Sequence, residues 1–173
     1  MKTKIILTLL LLIFIAACSI NPPSERAIID KDISYGDHSL MTFDVHYKES
    51  YENAPIIFTV HGGATGQGDK EQIRGGLTTY TDIDFVAVNI NYRFADEAEL
   101  SITHDVACAM ATFVEEYAEQ YGADPNNLIL EAGSAGNGRA GLIYFQPEFD
   151  WLEGCTVQEK PSRLKGYVSK AAF

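Results

Sequence analysis

Residues 128–136 have the sequence Leu-Ile-Leu-Glu-Ala-Gly-Ser-Ala-Gly, an apolar run that ends at a serine between small residues. A serine hydroxyl is a weak nucleophile until a base takes its proton, and a tight strand-to-helix turn is one way to expose it. Ala132 and Gly136 lie two positions before and after Ser134, where the end of a strand and the start of a helix leave little room for side chains. The pattern predicts a nucleophilic serine, although an N-cap serine with small neighbours would have the same local sequence.

Apolar runs around this serine indicate buried strands and one amphipathic helix. Residues 56–60, 85–90 and 128–130 are almost entirely apolar, which is typical of strands covered on both faces. Between residues 105 and 120, apolar side chains recur every three or four positions and predict the buried face of a helix. Gly122 is expected to end that helix.

The remaining elements complete an alternating order of strands and helices. The β-prone runs at residues 33–35 and 41–47 predict a hairpin, and polar turn residues at 124–127 precede the next strand. A helix is expected to start after Ser134 and to run toward Tyr144, and a last strand is expected over residues 166–169. We therefore predict an α/β fold: a mostly parallel sheet with helices on both faces and an antiparallel hairpin at its amino terminus.

The amino terminus has the features of a secretory signal peptide. Lys2 and Lys4 precede an apolar segment at residues 5–17, which is too short to cross a bilayer because a spanning helix needs about 20 residues. Residues 15–18, Ile-Ala-Ala-Cys, resemble a bacterial lipobox. The resemblance implies that Cys18 is lipidated and becomes the first residue of the mature protein. An ordinary signal peptide followed by an incidental cysteine is the alternative.

These features divide the chain into three expected segments. Residues 1–17 form the signal peptide, residues 18–30 a lipidated tether that contains two prolines, and residues 31–173 one globular domain. A lipoprotein of this kind is expected in the bacterial cell envelope, held at the outer membrane by its lipid anchor.

The chain is strongly acidic, with a formal net charge of −11 that becomes more negative when the signal-peptide lysines are removed. Such a body repels polyanions. The charge therefore argues against nucleic acid as a partner and against charge-driven binding to anionic membrane surfaces. A small neutral or cationic ligand meets no such repulsion.

The other polar residues do not indicate a metal site or a cofactor, and we predict neither. The sequence has no His-Glu-x-x-His and no Cys-x-x-Cys motif. Residues 69–71, Asp-Lys-Glu, are interpreted as a solvent-exposed face. An oxidising compartment permits a disulfide between Cys108 and Cys155. We nevertheless expect Cys108 to be a small buried residue and Cys155 to be a free thiol.

Four short stretches, in the same order, resemble the α/β-hydrolase superfamily, specifically small carboxylesterases of the hormone-sensitive-lipase-like and feruloyl or acetyl esterase-like type. They are Ile33-Ser34-Tyr35-Gly36, His61-Gly62-Gly63-Ala64, Asn91-Tyr92-Arg93-Phe94 and Ala132-Gly133-Ser134-Ala135-Gly136. Each stretch alone is a weak motif, but the ordered set is specific. The resemblance implies an α/β-hydrolase fold and hydrolysis of a small carboxylic ester, with a carbohydrate or aryl ester as the expected substrate.

The resemblance also implies an oxyanion hole. Acyl transfer places negative charge on a carbonyl oxygen, which nearby backbone N–H groups stabilise. In the family these donors map to Gly63, with Gly62 or Ala64 beside it, and to Ala135. A plain loop after a buried strand would have a similar sequence. We expect His61 to be structural, holding this loop through its ring, and Ala64 to keep φ below zero because it has a side chain.

The general base is the missing part of the pattern. Family members carry an acidic residue after the seventh strand and a histidine after the eighth. From the resemblance we expect the residues of this chain to reach only the sixth strand, without the family's carboxyl-terminal third. All four histidines precede Ser134. His104 is the remaining candidate base, against a surface or capping role, and Glu148, Asp150 and Glu153 are expected on a solvated cap segment. We therefore expect a serine esterase by family that is inactive or weak as this chain.

Two other functions stay open. The chain would be a non-catalytic envelope lipoprotein if the former ester pocket bound a glycan or small ligand. It would be half of a split hydrolase if a partner chain supplied the acid and the histidine. Residues 167–169 are expected to form an exposed strand edge, where another polypeptide can pair. A shortened reading frame would leave the same edge.

Overall fold

The structure, a computed structural model, describes residues 25–64, 66–94, 101–157 and 159–170. The predicted signal peptide at residues 1–17 and the predicted lipidation site Cys18 lie outside these residues. The strands of the described part are β1 (Ile28–Ser34), β2 (Thr42–Tyr47), β3 (Ala54–Val60), β4 (Val86–Ile90), β5 (Ala123–Gly133) and β6 (Gly166–Lys170). They form one sheet in the order β1–β2–β4–β3–β5–β6. Among the described residues, no helix has the length and apolar character needed to cross a bilayer.

The predicted hairpin is confirmed, and it begins earlier than expected. Strand β1 pairs antiparallel with β2, and β2 pairs antiparallel with β4. The ladder starts at Ile28, which pairs with Tyr47, so that residues 28–30 belong to the sheet although the sequence assigned them to the tether. The register shifts between Asp30 and Ile33, which leaves room for a bulge at the hairpin edge.

The predicted parallel strands are also confirmed, since β3 pairs parallel with β4 and β5, and β5 pairs parallel with β6. Strand β5 is longer than expected because the predicted turn at residues 124–127 lies inside it. Ala54 pairs with Ala123, yet Ile56 pairs with Leu128, so the polar residues bulge out of the ladder. The polar residues at 124–127 therefore form a local bulge within β5 and do not end the strand.

Helices cover both faces of the sheet, as predicted. Helix α1 (Arg74–Asp82) packs on one face, and α2 (Ser101–Thr112) and α3 (Ala135–Phe145) pack on the other. Helix α2 begins before residue 105 and continues into a wider π-helical turn at Phe113–Tyr117. The sequence did not reveal α1, because two glycines, three threonines and a tyrosine accompany Leu77, which is completely buried.

A disulfide joins Cys108 of α2 to Cys155, with 5.6 Å between the two Cα atoms. The expectation of a free thiol at Cys155 is therefore wrong. The loop after α3 folds back over α2, where Trp151 and Leu152 join a buried cluster with Ala107 of that helix. This packing brings the two cysteines together, and nothing in their sequence spacing indicates it.

Candidate active site

Ser134 lies in the turn between the end of β5 and the start of α3. Its backbone has φ 48° and ψ −124°, and the residue is exposed to solvent. Non-glycine residues in such conformations typically cost about 1–3 kcal/mol, so neighbouring contacts have to hold them. Here the Ser134 N–H donates to the carbonyl oxygen of Lys170 at 3.1 Å, and the Asn137 N–H donates to the Ser134 carbonyl oxygen at 3.0 Å. The predicted strand-to-helix turn is present.

The residues two positions before and after the serine are small because, as predicted, the packing leaves no room for larger side chains. A Cβ atom at Gly136 would lie 2.6 Å from the carbonyl oxygen of His61 and 3.2 Å from Cγ1 of Val60. Ala132 is completely buried. The first turn of α3 therefore packs directly against the end of β3, and a side chain at position 136 would separate them.

The loop that follows β3 passes beside the serine. A Cβ atom at Gly62 would lie 2.7 Å from Cβ of Ser134 and 3.5 Å from its Oγ. Gly63 has φ 133°, and its carbonyl oxygen accepts hydrogen bonds from the N–H groups of Gly66 and Gln67 at 3.4 and 3.2 Å. The structure thus brings the predicted diglycine and the predicted nucleophile together.

Ala64 departs from the expectation for this loop. Its φ is 51°, whereas the sequence predicted a value below zero because of the methyl side chain. The turn that is closed onto the Gly63 carbonyl oxygen holds Ala64 in the left-handed region. Ala135, the other predicted oxyanion donor, is the first residue of α3.

His61 holds this loop, as predicted for a structural residue. Its Nδ1 donates to the Gly62 carbonyl oxygen at 2.6 Å, and its ring stacks on Tyr92 with 4.3 Å between the centroids. The Tyr92 hydroxyl in turn donates to the His61 carbonyl oxygen at 2.7 Å. Burial of the ring lowers the pKa of His61, against the hydrogen bond to Gly62, and so favours the neutral imidazole.

The contacts and positions of the other three histidines argue against a role as the general base. The Nδ1 of His104 donates to the Trp151 carbonyl oxygen at 3.0 Å, so this side chain holds the loop after α3. His46 is buried in β2, which β4 and β3 separate from β5. His38 is exposed and accepts the Leu40 N–H. The three acidic side chains beside Trp151 are exposed, as expected: Glu148, Asp150 and Glu153.

Two features near the site were missed or misjudged from the sequence. Lys70 is buried, which makes the prediction of a solvent-exposed face at residues 69–71 wrong for this residue. Asp105, the first residue of the predicted helix, instead lies buried within α2, where it accepts hydrogen bonds from Nε and Nη2 of Arg93 at 2.9 and 2.6 Å. Opposite charges at a separation of 12 residues are too common to signal such a contact.

Contacts beneath the serine also come from β6. The Asn137 Nδ2 donates to the Lys170 carbonyl oxygen at 2.7 Å, and the Tyr167 hydroxyl donates to the Asn137 carbonyl oxygen at 2.9 Å. The buried carboxylate of Glu131 accepts from Lys170 Nζ at 2.8 Å and from the Tyr80 hydroxyl. In the described part of the chain, no group of three or more histidine, cysteine or acidic residues is placed to hold a metal ion.

Comparisons with known proteins agree with this geometry. The family model BD-FAE matches residues 43–165. A probable carboxylic ester hydrolase, LipM of Mycobacterium tuberculosis, is 30% identical over 125 residues, which are 68% of this chain and 28% of LipM.

Two solved esterase structures are similar in fold. Esterase B from Lactobacillus rhamnosis, inhibited by a tributyrin phosphonate, superimposes with a TM-score of 0.71 at 18% identity, over 84% of this chain and 50% of that one. A propionate-bound esterase, Est2 of Thermogutta terrifontis, gives a TM-score of 0.65 at 18% identity, over 85% of this chain and 54% of that one. The chain thus spans under a third of its curated relative and about half of each solved esterase. The match over residues 43–165, the sheet order and the serine turn have one explanation: the chain belongs to the BD-FAE family of carboxylic ester hydrolases, which have the α/β-hydrolase fold.

Proposed function

We propose that this chain supplies the nucleophile and the oxyanion hole for hydrolysis of a small carboxylic ester. Ser134 Oγ attacks the ester carbonyl and loses its proton to solvent water. The tetrahedral adduct then breaks the ester C–O bond and releases the alcohol, and water hydrolyses the acyl-serine to the carboxylic acid. The N–H groups of Gly63, with Gly62 or Ala64, and of Ala135 stabilise the negative oxygen of the tetrahedral adduct. The observation that carries the proposal is the position of Gly62, whose Cβ, if present, would lie 2.7 Å from Cβ of the exposed Ser134.

The backbone around the serine suits this chemistry. Ala135 begins α3, so its N–H belongs to the first turn of a helix, where N–H groups lack intrahelical partners and attract negative charge. Glycine at positions 62 and 63 lets the opposite loop approach without side chains. Removal of one oxyanion donor typically lowers turnover about 100- to 1000-fold. These donors therefore account for a measurable rate even where proton transfer is inefficient.

The proposal includes low turnover for this chain on its own. The Nδ1 atoms of His61 and His104 both donate to backbone carbonyl oxygens, and His46 is buried in β2, which two strands separate from β5. A serine without a histidine base keeps only the contributions of binding and of the oxyanion donors.

The substrate class proposed is a neutral ester with a short acyl chain. Support comes from the relatives, since Esterase B was captured with a tributyrin phosphonate and Est2 with propionate. The acidic net charge of −11 disfavours polyanionic substrates.

We also propose lipidation at Cys18 and attachment to the bacterial envelope. Incorporation of a labelled fatty acid that is lost in Cys18→Ala would support this, and equal incorporation in both forms would contradict it.

A fluorophosphonate probe tests the assignment of Ser134 directly. The purified chain should be labelled slowly at a single residue, and Ser134→Ala should abolish the labelling. Ser169→Ala is the matched control, because Ser169 is an exposed serine on the neighbouring strand β6. Labelling at another residue, or none after prolonged exposure of the folded chain, would refute the role of Ser134 as nucleophile.

A further inference from the structure

We propose that Lys70 is a positioning residue that fixes the diglycine loop opposite Ser134. The proposal rests on the proposed function, because it assigns Lys70 to the geometry of the same oxyanion hole. Lys70 lies in a 3₁₀ turn at Lys70–Gln72, and its hydrogen-bond partners lie in the hairpin and at the end of β4, away from the serine. Its effect is transmitted through the segment at residues 67–68.

The side chain of Lys70 is anchored to the antiparallel hairpin. Only 3% of the residue is exposed, and its ammonium group lies 2.7 Å from Oδ1 of Asp44, which is completely buried in β2. A second ion pair joins it to Asp32, whose own N–H donates to Asp44 at 2.9 Å. Burial disfavours the charge, but the hydrogen bonds to both carboxylates outweigh it and raise the pKa of Lys70. The anchor is therefore a charged ammonium between two carboxylates.

The backbone of Lys70 is anchored to the segment at the end of β4. Its N–H donates to Oδ1 of Asn91 at 2.7 Å, and its carbonyl oxygen accepts from Nδ2 of Asn89 at 2.6 Å. The preceding residue, Asp69, accepts from Nδ2 of Asn91 at 3.2 Å. Both asparagines are buried, and Asn89 also accepts the Thr59 hydroxyl at 3.0 Å. Side chain and backbone together leave this residue no freedom to shift by itself.

The segment before Lys70, residues 67–68, packs directly against the diglycine at Gly62 and Gly63. Gly68 has φ 120°, and a Cβ there would lie 2.5 Å from Nδ1 of His61 and closer still to the Gly62 carbonyl oxygen. A Cβ at Gly63 would collide with the Gln67 carbonyl oxygen. The two halves of the loop are therefore in direct backbone contact, so that a displacement of Lys70 displaces Gly62 and Gly63.

Oxyanion donors have to be positioned precisely, because they act at about 2.7–3.1 Å from the reacting oxygen. A misplacement of about 1 Å typically lowers the rate roughly 100-fold. A buried ion pair that joins the loop to the hairpin gives these donors a fixed reference in addition to the pairing of β3 with β5.

The test compares Lys70→Met with the control Lys31→Met, since Lys31 is an exposed lysine on β1. Backbone order parameters of Gly62 and Gly63 should fall from near the rigid value of about 0.85 towards about 0.6 in Lys70→Met only. The Gln67 amide, which donates to Gly63, should exchange about 10-fold faster or more relative to the Leu130 amide of β5. Fluorophosphonate labelling of Ser134 should slow roughly 100-fold.

A second pair of variants keeps the test decisive if Lys70→Met does not fold. The Asp32 side chain is 72% exposed, so Asp32→Asn removes one anchor with little risk to the core, and Asp37→Asn in the same hairpin is its control. Asp32→Asn should shift the same signals by a smaller factor. Unchanged order parameters in Lys70→Met, or in Asp32→Asn where only that variant folds, would overturn the proposal. An equal loosening of the diglycine and of Leu130 would also overturn it. Failure of Ser134 labelling in the unsubstituted chain would refute the proposed function instead, while the order parameters still decide the role of Lys70.

Discussion

Gly136→Ala should destabilise the protein, whereas Gly138→Ala in the same helix should stabilise it. The new methyl group at position 136 would lie 2.6 Å from the His61 carbonyl oxygen, and ordinary contact is about 3.5 Å, so α3 has to move by roughly 0.9 Å. Such overpacking costs about 1–3 kcal/mol, of which the better helix propensity of alanine offsets up to about 1 kcal/mol. We expect a net loss of about 1–2 kcal/mol. A methyl group at position 138 meets nothing within 4 Å and should add about 0.5–1 kcal/mol.

Urea denaturation of both variants measures this difference, with the midpoint and slope compared to those of the unsubstituted chain. The Gly136→Ala variant should also be labelled more slowly at Ser134, since the shift of α3 carries the Ala135 N–H away from the diglycine. Equal stability of the two variants, or a more stable Gly136→Ala, would show that the start of α3 does not pack on β3 as described. That result would remove the steric argument for the serine turn.

Three other substitutions or conditions probe the site and its support. Gly62→Ala places a methyl group 2.7 Å from Cβ of the serine and should slow fluorophosphonate labelling about 100-fold, whereas Gly66→Ala, with nothing within 4 Å, should leave the labelling rate unchanged. Burial lowers the pKa of His61, so the unfolded chain binds a proton more readily, and stability should fall as pH decreases through the unfolded value of about 6.5. Urea midpoints between pH 5 and 8 should lose part of this dependence in His61→Gln but not in His38→Gln. Reduction of the disulfide, whose cysteines are 47 residues apart, should lower the free energy of unfolding by about 2–4 kcal/mol, and an unchanged urea midpoint in reductant would contradict the bond.

Local sequence rules were sufficient for the parallel strands and the serine turn. The apolar run at residues 56–60 is typical of a strand buried on both faces, and β3 is such a strand. Small residues on either side of Ser134 indicate close packing of a strand and a helix, and the short distances around Gly136 confirm it. In both cases, the residues that carry the signal lie within a few positions of the feature that they predict.

The errors concern contacts between segments that are distant in the sequence. The sequence predicts an exposed Lys70 because the residue stands between two acidic residues, yet its partner Asp44 lies 26 positions earlier, in β2. Cys108 meets Cys155 only because the loop after α3 packs its tryptophan against α2. Charge and cysteine content have no periodicity that reports such pairs. The fold has to be known before either contact can be inferred.

Strand register explains how the separate parts of the site meet. In the ladder of β3 and β5, Val60 pairs with Ala132, so the residues two positions further along both chains, Gly62 and Ser134, arrive at the same edge of the sheet. In the neighbouring ladder β6 ends opposite the end of β5, which brings the Lys170 carbonyl oxygen to the Ser134 N–H. A slip of one residue in either ladder would turn alternate side chains to the opposite face and break these contacts. The juxtaposition of serine and diglycine therefore depends on the apolar pairing of β3 with β5, and the polar contacts around it refine a position that the sheet has already set.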